Sequence, residues 1–313
     1  MAPADTPAVY VIGAPRSGTT WVQLMLGSHP DIATPVELSF FSEFAAPWYG
    51  IWDRACAGGA GEIKPAHWGL PAALTEEEFE QALKDVVERV YRSLLAAKPG
   101  ARLVVEKDPQ YCMCVGAIVR TVPQARFIHV LRDGRDVVCS TVRVSRSWGS
   151  VWAPGRVAGA AGLWRQFTQA ALRARSAPGG YMEIRYEDLL GSSGPDVLRA
   201  ALTFCRIDDD PSVAGELFER YSYPARSKSE VLSGGLVWTG EAVRAGADTS
   251  FPDDFIGQAA AGIWKSELGP DDRQEFDSVA GELLVELGYE DDRSWAGAGE
   301  RPRRRWSPLP TRR

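Results

Sequence analysis

The sequence predicts an α/β fold: three layers, with a central parallel sheet flanked by helices. Two observations carry this. Four short apolar, β-branched runs recur along the chain (Ala8–Ile12, Leu103–Val105, Phe127–Leu131 and Tyr181–Arg185), and stretches with helical periodicity lie between them. The first run also passes through a glycine turn straight into a helical pattern, which is how a parallel α/β unit begins.

The elements follow in order. Ala8–Ile12 is apolar throughout and closed by Gly13, as expected of a strand buried on both faces. Gly18 to Ser28 carries Trp21, Leu24 and Met25 at helical spacing and stops at His29-Pro30. Residues 38–71 are crowded with aromatics (Phe40, Phe41, Phe44, Trp48, Tyr49, Trp52, Trp68) and broken by Pro47 and Pro65. We read this stretch as an insertion that either packs or lines an acceptor pocket. Thr75-Glu76-Glu77-Glu78 is a capping-box pattern that starts a long amphipathic helix running to Ala97. Leu103–Val105 is the second strand and Phe127–Leu131 the third. A helix starting near Asp133 follows, carrying Val137, Val138 and Ser140. The fourth strand, Tyr181–Arg185, leads into Tyr186-Glu187-Asp188-Leu189. One domain is expected over 8–292, preceded by a short extension (1–7). From 293 to 313 the composition turns to Gly, Pro and Arg, which reads as a basic mobile tail.

A length of 313 residues with 45% hydrophobic content supports a full core. The formal charge of -6 gives no overall attraction to nucleic acid or to an anionic membrane, so an anion site has to be local. The start of the chain has neither a basic nor an apolar leader pattern, and no run approaches a membrane span, so a cytoplasmic location is expected. Five scattered cysteines without a CxxC pair argue against a disulfide framework and a zinc site.

Gly13 to Thr20 fits the frame of a phosphate loop, in which backbone N–H groups and a helix N-terminus bind phosphate oxygens. A nucleoside-triphosphate loop places Lys after its second glycine to reach the β- and γ-phosphates; here Thr19 stands there. The expected ligand therefore has fewer phosphates in line. Arg16 supplies a cation from within the loop, and Ser17, Thr19 and Thr20 add hydroxyl donors around Gly18. The loop makes the fold P-loop-like.

A second anion site is suggested by Arg132, which ends the third strand, and Ser140, two helical turns beyond Asp133. Both can approach one group at the carboxyl end of the sheet. Spacing alone leaves Arg132 open between a phosphate ligand and a salt-bridge partner. It also leaves Asp133 open as the magnesium-binding acid of a P-loop nucleotide kinase, the rival enzyme reading. A nucleotide-binding module without chemistry is the non-enzymatic rival.

Together, Pro15-Arg16-Ser17-Gly18-Thr19-Thr20 and the block from Arg132 to Ser140 resemble the family of sulfotransferases that use 3'-phosphoadenosine 5'-phosphosulfate (PAPS). Glu106-Lys107-Asp108-Pro109, Tyr186-Glu187-Asp188-Leu189, Gly262-Ile263-Trp264-Lys265 and Leu287-Gly288-Tyr289 extend the likeness over roughly residues 8 to 290. The resemblance implies PAPS as donor, its product 3'-phosphoadenosine 5'-phosphate (PAP), and an acceptor hydroxyl on a small molecule, sugar or tyrosine; no metal is expected, because a sulfuryl group carries less negative charge than a terminal phosphoryl and the sequence offers no convincing ligand cluster. It implies that the loop, with Trp21 behind it, holds the 5'-phosphosulfate, and that Arg132 and Ser140 hold the 3'-phosphate.

The wording around Lys107 and Arg132 is most similar to the tyrosylprotein branch, which carries its base at the position of Glu37. Other branches carry a carboxylate at the position of Glu106. The cytosolic phenol and steroid enzymes use a histidine slightly beyond, where this chain has Asp108 to Tyr111, and a loop Lys where it has Arg16. Where family members have an Arg-Lys-Gly or Gly-Arg-Trp segment, this chain reads Ala261 to Lys265, so that role passes to Lys265 or Arg226. Tyr186 and Trp264 are open between bordering adenine and packing in the core.

For the reaction, the expectation is Glu37 as general base with Glu106 as its competitor, and Arg16 and Lys107 stabilising charge on the transferring group. Of the histidines, His29 reads as a helix-end cap, His129 as a core residue, and His67 falls in the aromatic stretch.

Overall fold

In a computed structural model that describes residues 6–57, 69–207, 210–221, 236–237 and 260–297, the apolar runs form five strands. These are β1 (Ala8–Ile12), β2 (Ile32–Ala33), β3 (Leu103–Lys107), β4 (Arg126–Leu131) and β5 (Tyr181–Arg185). They pair in parallel in the order β2-β3-β1-β4-β5. Val11 of the central strand lies opposite both Lys107 and Ile128, and Leu131 opposite Arg185, so the carboxyl ends of β1, β3, β4 and β5 finish along one edge. Strand order reverses at β1. In an open parallel sheet, that is where a ligand crevice forms.

Eleven helices surround the sheet among the described residues: α1 (Thr19–Gly27), α2 (Ala46–Ala57), α3 (Glu76–Ala97), α4 (Val115–Thr121), α5 (Gly134–Val144), α6 (Val157–Ala171), α7 (Tyr186–Leu190), α8 (Gly194–Cys205), α9 (Pro211–Tyr221), α10 (Trp264–Glu267) and α11 (Pro270–Glu286). The period-2 alternation of the strands divides the apolar core into two layers. Tyr10, Ile12, Val104, Phe127 and Leu131 pack with residues of α3, α5, α6 and α11. Val9, Val11, Val105, Ile128 and Val130 pack with residues of α1, α8 and α9. Helix α3 shows how sequence becomes layer: Thr75 and Glu78 form the capping box, and Phe79, Leu83, Val87, Tyr91 and Leu94 line up on one buried face.

Three details differ from the sequence expectation. The two-residue β2 at the sheet edge is too short to leave a pattern. The aromatic stretch is helical, with a π-turn (Phe41–Ala45) running straight into α2, and Pro47, which has no N–H to give, stands where the wider turn ends. One face of this segment is core: Phe41, Tyr49 and Trp52 are buried, with Trp52 stacked on Phe79 at 4.4 Å. The other face, Phe44, Trp48 and Ile51, is exposed. Residues 58–68, with Pro65, His67 and Trp68, lie outside the described residues. Finally, the packed body continues past 292. A 3-10 turn, Arg293–Ala296, sets Trp295 edge-on against Trp264 and Phe276, and Arg293 pairs with Asp277 at 2.6 Å. The rest of the expected tail, and Arg226, also lie outside the described residues.

Candidate functional site

After β1 the chain turns tightly, with Ser17 N–H donating to the Ala14 carbonyl at 3.0 Å, and enters α1 through Gly18. Gly18 has a φ of 93°, and α1 has no side-chain cap and no acidic residue in its first turn. Its leading N–H groups are therefore available to an anion, and the helix dipole favours one there. Ser17 and Thr19 are buried in the loop, while Thr20 and Arg16 are half-buried. Arg16 itself is held at a φ of 72°, a left-handed conformation uncommon for a side-chain-bearing residue.

Three side chains far apart in sequence meet at this loop. Arg132, at the end of β4, is 5% exposed; one Nη donates to the Arg16 carbonyl and the other to the Ala260 carbonyl, each at 3.0 Å. Its Nε is buried with no partner among the described residues. Ser140, on α5, accepts from Arg16 Nε at 3.1 Å. Tyr186, at the start of α7, lies under the Arg132 guanidinium at 4.2 Å and against Gly18. Trp21 meets Tyr186 edge-on at 5.8 Å and donates to the Tyr221 carbonyl at 2.8 Å.

The acids beside Arg132 are committed to structural bonds. Asp133 caps α5 and binds Arg135 through both carboxylate oxygens. Asp136 accepts from the N–H groups of Gly262 and Trp264, and burial pushes its pKa up. Asp133 thus points into an ion pair with Arg135, not into the crevice as the magnesium acid of a nucleotide kinase would.

At the carboxyl end of β3, buried Lys107 is ion-paired with Glu37, whose side chain is 45% exposed. Gln23 of α1 donates to the Thr34 hydroxyl at 2.9 Å and the Pro35 carbonyl at 2.7 Å, so the phosphate-loop helix also fixes the segment that carries Glu37. Asp108 caps the turn Pro109–Cys114 and accepts from Ser42 at 3.2 Å. Cys112 of that turn accepts the Gly13 N–H at 3.2 Å, which ties the end of β3 to the start of the loop.

Glu106 is not brought to Glu37 and Lys107. Strand alternation turns it into the opposite layer, where it is 1% exposed and accepts from the Tyr91 and Tyr111 hydroxyls; Tyr91 in turn shares a hydrogen bond with Tyr10 at 2.6 Å. Burial raises its pKa to about 7 against the lowering effect of the two tyrosines. Trp264 is 7% exposed, with the Arg135 guanidinium 3.7 Å and the Arg273 guanidinium 5.2 Å from its ring, so its faces are taken. Lys265 stands beside it, 5.9 Å from the same ring. His29 Nδ1 accepts from Asp31 N–H at 3.1 Å just past α1. His129 is buried against Tyr181 at 2.7 Å, and burial holds its pKa down at about 4.

Trp148 was not visible as a site residue in the sequence: its ring lies 5.5 Å from the Arg16 guanidinium, contributed by the connection after α5. No spacing rule points from Ser140 to it.

Residues 7–211 match the profile of the sulfotransferase family. The chain belongs to that family. Relatives include protein-tyrosine sulfotransferase 1 of Danio rerio, 27% identical over 138 residues (44% of this chain, 36% of the relative). Another is nodulation protein NoeE of Sinorhizobium fredii, 29% identical over 140 residues (45% of this chain, 31% of the relative). The chain therefore spans about a third of the length of these two curated relatives. Among solved structures, mouse sulfotransferase SULT7A1 complexed with PAP matches with a TM-score of 0.53 at 15% identity, covering 94% of this chain and 89% of the other. At that identity the match shows a shared fold, a parallel sheet flanked by helices, as expected from the sequence. No helix among the described residues is long and apolar enough to cross a membrane.

Proposed function

We propose that this member of the sulfotransferase family transfers a sulfuryl group from PAPS to an acceptor hydroxyl. One observation carries the reading: Arg16, Arg132 and Ser140, from three separate elements, converge at the uncapped start of α1. Two anion-binding places side by side suit a nucleotide with phosphate at both its 3' and 5' positions. The site residues fit such a group. The Arg132 Nε is a buried donor with no partner among the described residues, and each Nη keeps a second N–H beside the one it gives to a backbone carbonyl, so a phosphate can be met without displacing either carbonyl.

In this reading the amides of Gly18, Thr19 and Thr20, the hydroxyls of Ser17, Thr19 and Thr20, and Arg16 hold the 5'-phosphosulfate. Arg132 and Ser140 hold the 3'-phosphate, and Tyr186 with Trp21 forms the wall behind it. When bound, PAPS supplies an activated sulfuryl group on a phosphate leaving group. Transfer between two oxygens in line asks the protein mainly for positioning and charge stabilisation. Lys107 occupies Oε1 of Glu37, which leaves Oε2 to take the proton of the acceptor hydroxyl. Arg16 and Lys107 meet the negative charge that develops on the transferring group and leaving phosphate. Glu106, sealed among tyrosines, is left with a structural part. The exposed side chains Phe44, Trp48 and Ile51, on the π-turn and α2 that follow Glu37 in the chain, offer an apolar wall for the acceptor.

The test is incubation with labelled PAPS and a panel of acceptors (peptide tyrosine, phenol, aliphatic alcohol, sugar), with products read by mass. Sulfated product from at least one acceptor is expected. Phosphate transfer from ATP with no sulfated product would replace this reading with the kinase one.

A further inference from the structure

One of the two carbonyls that hold the Arg132 guanidinium comes from Ala260, 128 residues away in sequence. What brings Ala260 there is the turn running to Trp264, and one side chain on α5 pins that turn. Asp136 Oδ2 accepts from Gly262 N–H at 2.7 Å and Oδ1 from Trp264 N–H at 2.9 Å. Asp136 is 1% exposed and lies one helical turn before Ser140, on the same side of α5. Both of its oxygens go to backbone donors. The Arg132 guanidinium is close enough to favour the charged carboxylate but is not among its hydrogen-bond partners. The pinned turn is reinforced from behind, where the Trp264 ring lies on Arg135 and Arg135 is bound by Asp133 and Glu290.

We infer that Asp136 is a positioning residue for donor recognition: by clasping the Gly262–Trp264 turn to α5 it keeps the Ala260 carbonyl on Arg132, and so aims the guanidinium that reads the donor's 3'-phosphate. The inference rests on the sulfotransferase reading above and extends it to the residue that sets selectivity for a 3'-phosphorylated nucleotide. Without the clasp, Ala260 leaves and, of the described residues, Arg132 keeps the Arg16 carbonyl alone as a hydrogen-bond partner, so its charge-assisted bonds to a phosphate must bear the cost of ordering it. The 5'-phosphate side, built from the loop and α1, does not depend on this turn. A carboxylate that merely stapled the fold would weaken every nucleotide alike.

The experiment is calorimetric titration of the full chain with PAP and with adenosine 5'-phosphate, in the parent, Asp136→Asn and Gly262→Ala, with circular dichroism to establish folding. In Asp136→Asn the side-chain amide opposes one of the two backbone N–H groups, and loss of a charge-assisted hydrogen bond predicts PAP binding about tenfold weaker. Binding of adenosine 5'-phosphate should change by less than about threefold, within the spread of a contact not made by the altered turn. Gly262→Ala acts without removing the carboxylate. Gly262 has a φ of 76° and a Cβ there would meet no atom of the described residues closer than 4.0 Å, so the perturbation is backbone strain, and the same selective loss is expected if Asp136→Asn does not fold. A parent that does not prefer PAP over adenosine 5'-phosphate would overturn the sulfotransferase reading and this inference with it. A parent that prefers PAP, with variants that keep the preference or lose both ligands equally, would overturn the inference alone.

Discussion

Replacing Gly18 by alanine should disable the loop through one added methyl group. Gly18 has a φ of 93°, and an added Cβ would lie 2.5 Å from Tyr186 Cδ2 and 2.7 Å from Cε2. The left-handed conformation costs an L-residue about 1–2 kcal/mol, and overpacking a site that cannot relax adds about 1–3 kcal/mol, so the loss should be about 2–5 kcal/mol. Tyr186 has little room to give: the Arg132 guanidinium covers its ring at 4.2 Å and Trp21 meets it edge-on at 5.8 Å. Any relief therefore displaces Arg132, and PAP binding should weaken along with stability. Urea unfolding followed by circular dichroism measures the first effect and calorimetry the second. A variant within about 0.5 kcal/mol of the parent, the range of an ordinary surface change, would show that the loop and Tyr186 do not meet as described.

Further outcomes follow from other contacts. Glu37→Gln should lower the rate of sulfuryl transfer by about 10²–10⁴, the usual contribution of a general base, with PAP affinity almost unchanged, whereas Glu106→Gln should leave the rate within about threefold. Steady-state kinetics on both variants decides this, and equal losses would remove Glu37 from its role. Burial raises the Glu106 pKa from an ordinary 4.5 to about 7, so the folded chain binds that proton more tightly than the unfolded one. Its contribution is complete below pH 4.5 and disappears as pH rises through about 7, a change of roughly 3 kcal/mol. Urea midpoints at pH 5 and pH 8 should show a smaller pH dependence in Glu106→Gln than in the parent; equal dependence would contradict the burial argument. Lys98 Nζ donates to the carbonyls of Gly27, His29 and Ile32 at 2.7, 2.8 and 2.7 Å, closing the end of α1 onto the sheet edge. Lys98→Met leaves those acceptors without their cation and should cost about 2–4 kcal/mol in urea unfolding; a loss under about 0.5 kcal/mol would refute the clamp.

Much of the architecture was legible because it rests on local rules. β1 with its loop and α1 announces itself by an apolar run, glycines and helical spacing. The capping box of α3 is written in Thr75 and Glu78, and the separation of Arg132 from Ser140 follows from a strand end and a helix. What could not be read is set by contacts between distant segments. The alternation of β3 implies that Glu106 and Lys107 point to opposite layers, yet which layer faces the crevice depends on where α3 brings Tyr91 and the following turn brings Tyr111. Trp264 resembled a stacking residue and proved to be covered by Arg135, because Asp136 draws its backbone onto α5. The aromatic stretch divides between core and surface by helical phase, which its prolines obscured. Trp148 and Gln23 act on the site through contacts that no motif encodes.

In the proposed function the loop and the Arg132–Ser140 pair together hold one nucleotide by its two phosphate groups. The most direct test is titration of the parent and Arg132→Ala with PAP and with ADP. The parent should bind PAP more tightly than ADP, and loss of the buried guanidinium should weaken PAP by at least about tenfold while changing ADP little. If Arg132→Ala bound PAP as tightly as the parent, or if ADP were the preferred ligand, the two-phosphate site would not be the one described.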